Sequence, residues 1–383
     1  MPGLDRLGVV GAGTMGAGIA QLGCLGGFEV LLQDPDARAL AGGADRLRGG
    51  LTKGATRGLW SEGEAVAATE RLQTTNELGD LAACGLVIEA APESLQLKRR
   101  IFDDLATACG SDAVLATNTS SLPVSAIAAS VDHPERVCGM HFFNPPPLML
   151  LVEIVAGEKT SRPALDLATA AARRMRREPV RATDAPGFIV NRCNRPYTLE
   201  ALRMLGEEVA GVAQIDRAMR DVGGYRMGPF ELIDLIGVDV NLEVARSFFS
   251  QRPEPRWQPH PIQEQMVAEG KLGRKTGAGF YAYVDGERGS RARGPDGEHA
   301  DPQSILMRIV AQLVNEASFA VEEGVASPAD IDTAMRLGLN HPKGPFEWLA
   351  QVGADRVVAT LDELAGLLGG ERYRVAATLR SQV

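Results

Sequence analysis

Short apolar runs separated by helical stretches organise the first half of the chain. LGVV (7–10), FEVLLQD (28–34), RLQTT (71–75), GLVIEAAPE (85–93), AVLATNTSS (113–121) and RVCGMHFFN (136–144) each read as a buried strand running into a loop. The first two flank GAGTMGAGIAQLGCLGG, which gives strand, glycine turn, helix, strand, a βαβ unit with a right-handed parallel crossover. Residues 36–69 are rich in Ala, Arg and Glu, with turn signals near Gly58 and Ser61, and predict a pair of helices. Strands alternating with helices over about 185 residues predict a doubly wound α/β domain at 1–185.

At DAPGFIVNR (184–192) the pattern turns helical and stays so, apart from a β-like stretch, GRKTGAGFYAYV (273–284). GERGSRARGPDGEHADP (286–302) has no apolar periodicity and reads as an exposed linker. Residues 200–239 align without gaps against 316–355 at an offset of 116, and 17 of the 40 positions are identical, including GPFE at 228–231 and 344–347. Such a match is an internal duplication. It predicts two all-α repeats, at 186–285 and 303–383, joined by the linker. Under the same offset Asn191 meets Met307, and PGFIVN has no counterpart in the linker, so the second copy is expected to be structural. The expected assembly is a homodimer built on a self-complementary patch, part of which the duplication internalises.

Composition narrows the classes. The 383 residues, 45% hydrophobic and 23% charged, suit a globular protein of two or more domains. No apolar run reaches the roughly 18 residues of a membrane span, and the first strand follows the amino terminus too closely for a leader, so no membrane and a cytoplasmic location are expected. Five scattered cysteines without metal spacing predict buried thiols, with no disulfide framework and no metal site. A net charge of −9 argues against nucleic-acid binding, which needs an extended basic surface. The RRMRR run at 173–177 reads as a solvated helix face.

Chemistry enters with Gly11, Gly13 and Gly16, a G-x-G-x-x-G directly after a strand and opening a helix at Thr14 and Met15. The glycines allow a tight turn, close backbone approach to a pyrophosphate, and helix-on-strand packing, and the helix amino terminus supplies N–H groups to the phosphates. Asp34 ends the next strand 18 residues past Gly16. A carboxylate there accepts from both adenosine ribose hydroxyls and repels a 2′-phosphate, which makes NAD the expected cofactor of a Rossmann-type domain. Asp34 also reads as a helix cap, a compatible role. Further on, MHFFNPP (140–146) places His141 twelve residues before Glu153 of LLVEIVAG. Alone, the pair reads rather as a packed imidazole in a turn. Beside a dinucleotide site it is a general base with an orienting carboxylate, because an imidazole titrates near neutral pH and a carboxylate stabilises its charged form.

With the glycine loop, TNTSS, HFFNP, LVEIV and PGFIVNR in this order, the chain resembles the L-3-hydroxyacyl-CoA dehydrogenase family over essentially its whole length. The duplicated helical half is similar to the dehydrogenase portion of bacterial multifunctional β-oxidation proteins and to longer 3-hydroxybutyryl-CoA dehydrogenases. The resemblance implies NAD-dependent interconversion of an L-3-hydroxyacyl-CoA and a 3-ketoacyl-CoA. It implies catalytic roles for His141 and Glu153 and polar substrate contacts from Ser120 and Asn191. It implies cofactor contacts from Asp34, Glu93, Lys98, Asn144 and Lys275. Lys53 and Arg57, in GGLTKGATRG, are the basic candidates for the CoA tail. Leu150 stands where the family often has lysine. Two other readings compete: a dehydrogenase of a free hydroxy acid or sugar acid on the same fold, and a dinucleotide-binding protein without turnover.

Overall fold

A computed structural model describes residues 5–292 and 300–383. The chain forms two compact units, Met1–Phe188 and Ile189–Val383.

The first unit runs β1 (Arg6–Val10), α1 (Thr14–Leu25), β2 (Glu29–Gln33), α2 (Ala37–Thr56), α3 (Glu62–Glu70), β3 (Leu72–Thr75), β4 (Leu86–Glu89), α4 (Leu95–Ala108), β5 (Val114–Thr117), α5 (Val124–Ala128), β6 (Val137–Phe142), β7 (Leu151–Ala156), α6 (Arg162–Arg174) and β8 (Glu178–Thr183). Its eight strands form one sheet in the order β3-β2-β1-β4-β5-β6-β7-β8. Order reverses beside β1, which pairs with both β2 and β4, and this switch point opens a crevice at the carboxyl ends of the strands. All neighbours are parallel except β6 and β7, which are antiparallel. Strands buried on both faces explain the near-continuous apolar runs; β4 and β5 are buried at every position. Two helices, α2 and α3, do fill 36–69, the second closed by a capping box between Ser61 and Glu64. The arginines at 173–177 are only in part a solvated face: Arg173 and Arg176 are exposed. Arg174 donates to the Gly26 and Gly27 carbonyls and lies over the Phe28 ring, and Arg177 donates to the Met149 carbonyl.

The second unit runs α7 (Val190–Cys193), α8 (Arg195–Gly206), α9 (Val212–Arg217), α10 (Pro229–Ile236), α11 (Val238–Gln251), α12 (Pro261–Ala268), β9 (Tyr281–Val284), β10 (Glu287–Ala292), α13 (Pro302–Glu322), α14 (Pro328–Leu339), α15 (Pro345–Val352), α16 (Ala354–Leu368) and α17 (Ala377–Arg380). The stretch read as a linker begins instead with β10, which closes an antiparallel hairpin on β9; residues 293–299 lie outside the described residues. Both repeats contribute to one apolar core, from Tyr197 to Leu379, with α13 through its centre. That helix is long and apolar enough to cross a membrane, but 89% of its apolar window is buried inside the protein.

The repeated residues have a shared structural task. Asp216 accepts hydrogen bonds from the Phe230 and Glu231 amides at 2.9 and 3.1 Å, and Asp332 accepts from Phe346 and Glu347 at 2.8 and 3.2 Å. Each aspartate therefore caps the GPFE helix of its own copy from a distance. Glu231 and Glu347 reach back to the Gly228 and Gly344 amides, both at 2.8 Å. Orphan amides at a helix start need such partners.

Candidate active site

The loop between β1 and α1 is Gly11-Ala12-Gly13. Gly11 has φ +97°, and a Cβ there would lie 2.8 Å from the Ala90 carbonyl oxygen, so the turn requires glycine. A Cβ on Gly16 would lie 1.7 Å from the Gly11 carbonyl oxygen, because the helix packs directly on the loop. Gly13 is different: a Cβ there would meet no protein atom within 4 Å. The helix begins at that point with no side-chain cap and no acid in its first turn, so no side chain competes with an anion for the N–H groups around Thr14 and Met15. Asp34, half-buried at the end of β2, accepts from the Ala12 amide (2.8 Å) and the Asp36 amide (3.0 Å). The cap of α2 is Asp36, not Asp34, which leaves Asp34 for a ligand. An open glycine, an uncapped helix start and a part-exposed carboxylate fit the pyrophosphate and ribose of NAD.

A polar network lies under the next two loops. Lys98 is 1% exposed, and its ammonium donates to Glu89 Oε1 at 2.7 Å and the Ala91 carbonyl at 3.2 Å, with Glu93 Oε2 at 3.4 Å. Glu93 accepts from the Thr119 hydroxyl at 2.5 Å and from the amides of Ser120 and Ser121 at 3.1 and 3.2 Å. Burial works to raise the Glu93 carboxyl, but Thr119, the Lys98 ammonium and Ser121 outweigh it and hold it below the usual range. Lys98 thus holds Glu93 against the TNTSS loop, and its own ammonium is committed inside the protein.

His141 and Glu153 are paired residues in the antiparallel register of β6 and β7. Directly opposed residues present their side chains on one face, and His141 Nδ1 meets Glu153 Oε2 at 2.6 Å. Glu153 is fully buried and His141 is 6% exposed. The imidazole is flanked by Phe143 at 4.5 Å and Phe188 at 5.9 Å between ring centroids. An ionised Glu153 fixes the Nδ1–H tautomer, which leaves the lone pair on Nε2. Asn144, exposed one residue before Pro145 in a cis peptide bond, opens the loop that reverses the chain between the two strands.

Ser120 is exposed on the loop after β5, and its amide is tied to Glu93. Asn191 lies half-buried on α7, in the second unit. Lys275 also belongs to the second unit, and its ammonium contacts both Asp239 oxygens, at 2.6 and 2.7 Å. Lys53 and Arg57 are exposed at the carboxyl end of α2, one turn apart. Leu150 is 49% exposed just before β7. All five cysteines are buried, and none is in a disulfide.

Sequence reasoning missed Asn118 and Thr119. The Asn118 side-chain oxygen accepts from the Phe142 amide at 2.8 Å and so fixes the backbone next to His141. Thr119 carries the hydroxyl that orients Glu93. A polar pair ending an otherwise apolar strand at the carboxyl edge of a parallel sheet was the available signal.

Known proteins resemble the chain in sequence and in fold. The family described as 3-hydroxyacyl-CoA dehydrogenase, NAD binding domain, matches residues 6–185, and 3-hydroxyacyl-CoA dehydrogenase, C-terminal domain, matches 187–283 and 305–383. A 3-hydroxyadipyl-CoA dehydrogenase of Escherichia coli is 37% identical, covering 100% of this chain and 98% of its own. A 3-hydroxybutyryl-CoA dehydrogenase of Clostridioides difficile is 37% identical over 73% of this chain and 99% of its own. The crystal structure of 3-hydroxybutyryl-CoA dehydrogenase from Escherichia coli superposes with a TM-score of 0.92 at 36% identity, covering 99% of this chain and 98% of that one. With a dinucleotide loop, a buried histidine–carboxylate pair and matches across both units, the chain belongs to the 3-hydroxyacyl-CoA dehydrogenase family of NAD-dependent oxidoreductases.

Proposed function

We propose that the chain interconverts a short-chain L-3-hydroxyacyl-CoA and the 3-ketoacyl-CoA, with His141 as general base and acid and Glu153 as its orienting carboxylate. The observation that carries this reading is the 2.6 Å contact between His141 Nδ1 and Glu153 Oε2 across the β6–β7 register. In the oxidative direction Nε2 takes the substrate hydroxyl proton, and the buried carboxylate stabilises the imidazolium that results. NAD, held by the Gly11–Gly16 loop and Asp34, supplies the hydride acceptor when bound. In the reverse direction Nε2 returns the proton to the reacting oxygen. Phe143 and Phe188 keep water from the imidazole.

Ser120 and Asn191 take the remaining polar contacts, with the reacting oxygen and, for Asn191, the thioester carbonyl. Each such preorganised donor contributes about 2.7–4 kcal/mol of transition-state stabilisation in comparable sites. Lys53 and Arg57, exposed on α2, suit the phosphates of the CoA tail. Glu93 and Asn144 complete the cofactor side. The short acyl chain is taken from the relatives named for 3-hydroxybutyryl-CoA and 3-hydroxyadipyl-CoA. We also propose a homodimer whose two-fold uses a surface other than the one buried between the helical repeats; sedimentation as a monomer at micromolar concentration removes that part.

The test is NADH consumption with acetoacetyl-CoA beside free acetoacetate, extended over 3-ketoacyl-CoA substrates of four to sixteen carbons. The expected result is turnover of the thioesters with a maximum at four to six carbons. Turnover of the free acid alone, or tight NADH binding without turnover of any thioester, overturns the reading.

A further inference from the structure

The second helical copy has lost the counterpart of Asn191, yet it holds the helix that carries Asn191. Arg192, the next residue on the four-residue α7, is fully buried. Its Nε donates to Glu316 Oε1 at 2.8 Å and its Nη1 to Glu323 Oε2 at 3.0 Å; Glu316 lies on α13 of the second copy and Glu323 caps its carboxyl end. The other Glu316 oxygen accepts from Trp257 Nε1 at 3.0 Å.

At the offset of 116 the arginine–glutamate contacts recur with the copies exchanged. Arg308 Nε donates to Glu200 Oε1 at 2.6 Å, Arg308 Nη2 lies 2.8 Å from Glu207 Oε2, and the Tyr373 hydroxyl donates to Glu200 Oε1 at 2.9 Å. Arg192 and Arg308, Glu200 and Glu316, Glu207 and Glu323, and Trp257 and Tyr373 are all 116 residues apart. The contacts are therefore reciprocal, as across an isologous interface. One difference between the copies falls immediately before the paired arginines: Asn191 has Met307 as its counterpart.

A single helical turn has no cooperative stability of its own, so tertiary contacts must set its orientation. A buried, hydrogen-bonded ion pair contributes little net stability but fixes geometry strongly. We propose that Glu316, with Glu323, is a positioning residue for the reaction: by fixing Arg192 it fixes the rotation of α7 and hence the placement of the Asn191 amide. The inference rests on the role of Asn191 in the reading above. The duplicated copy is then part of the working site, supplying the brace for a group it does not itself carry.

The reciprocal pair provides the control. Glu316→Gln and Glu200→Gln remove the two reciprocal carboxylates, both buried and each held by two arginines (Arg192 and Arg256 for Glu316, Arg308 and Arg203 for Glu200), so both should lower the melting temperature. Only the first loosens the helix bearing Asn191. Misplacement of a contact group by an ångström costs on the order of 10²-fold in rate. Glu316→Gln is expected to lower kcat with acetoacetyl-CoA at least about tenfold, and Glu200→Gln to leave it within about threefold. In an Asn191→Ala background the Glu316→Gln loss should vanish, because the amide it positions is gone. If the inner variants fail to fold, Glu323→Gln against Glu207→Gln repeats the comparison at acids 25% and 26% exposed. Equal kinetic losses in the two members of a pair, or a full Glu316→Gln loss in the Asn191→Ala background, overturn the proposal. Asn191→Ala with wild-type kinetics overturns both it and the role of Asn191, while the substrate reading stands or falls on the wild-type chain alone.

Discussion

Replacing Glu153 with Gln tests the acid–base assignment most directly, because it keeps volume and changes only charge and hydrogen-bond polarity. Glu153 is fully buried, and its contact with His141 Nδ1 is 2.6 Å, within the range of charge-assisted hydrogen bonds. A hydrogen bond to a charged group contributes about 1.5–3 kcal/mol, so losing it in the imidazolium-forming step costs about 10- to 100-fold in rate. A second effect adds to this. A glutamine amide facing Nδ1 through its N–H forces the imidazole proton onto Nε2, the nitrogen that has to accept the substrate proton. Tautomer inversion of this kind costs about 10⁴-fold in the serine protease triad. Between these limits, kcat for L-3-hydroxybutyryl-CoA oxidation is expected to fall by about 10²–10⁴. The NADH dissociation constant, read by fluorescence titration, should change less than about threefold, since the glycine loop and Asp34 lie on other strands. Folding should survive, because an isosteric neutral amide replaces a buried charge. A kcat within about threefold of wild type would refute the mechanism, as would a loss of turnover matched by an equal loss of NADH affinity.

Three other outcomes follow from the same geometry. Gly13→Ala should fold with unchanged stability, since its Cβ meets nothing, yet raise the NADH dissociation constant at least about tenfold; Gly16→Ala, with a Cβ 1.7 Å from the Gly11 carbonyl oxygen, should lose stability as well, and unaltered NADH binding in Gly13→Ala would remove the pyrophosphate assignment. Asp34→Ser should lower the preference of kcat/KM for NAD over NADP by about 10²-fold, and an unchanged ratio would place the ribose elsewhere. His341 is buried beside Tyr197 and Tyr225, and burial pushes its imidazole down from 6.5 to about 3. Unfolded chains bind that proton below pH 6.5 while the folded state resists it, so this contribution to stability is complete above 6.5 and is lost as pH falls toward 3; by pH 4 the loss amounts to about 3 kcal/mol. His341→Phe should therefore narrow the gap between urea midpoints at neutral pH and at pH 4, and an undiminished gap contradicts the assignment.

The apolar strand runs were legible because a parallel sheet covered on both faces demands them, and the glycine spacing was legible because each glycine answers a distinct steric need. MHFFNPP was legible as a turn after a strand, but the register that sets His141 against Glu153 was not, since one residue of slip would send the side chains to opposite faces. Lys98 carries a different lesson. The family resemblance marked it as a cofactor contact, and its ammonium donates to Glu89 at the end of β4. Charge partners nine residues apart, on a strand and the following helix, leave no local signature. The β10 hairpin strand was hidden by its Gly and Arg content, which suits an exposed two-stranded ribbon as well as a linker.

Duplication exposed the division between packing and chemistry more sharply than a single copy could. Positions that tie the copies together, Arg192 with Arg308 and Glu200 with Glu316, are the same in both, because a reciprocal contact constrains both members at once: a change in one copy strands a buried charge in the other. Asn191 and Met307 lie one residue from those arginines, outside the reciprocal set, and there the copies diverged. An amide is useful only where a substrate reaches it; without one, a thioether packs at lower cost than an unpaired polar group. Met307 is 8% exposed on α13 and packs in the common core, which is the environment a redundant amide would have to leave. Divergence at one helical position beside strict retention at the next is the pattern expected when one copy keeps the reaction and the other keeps the brace.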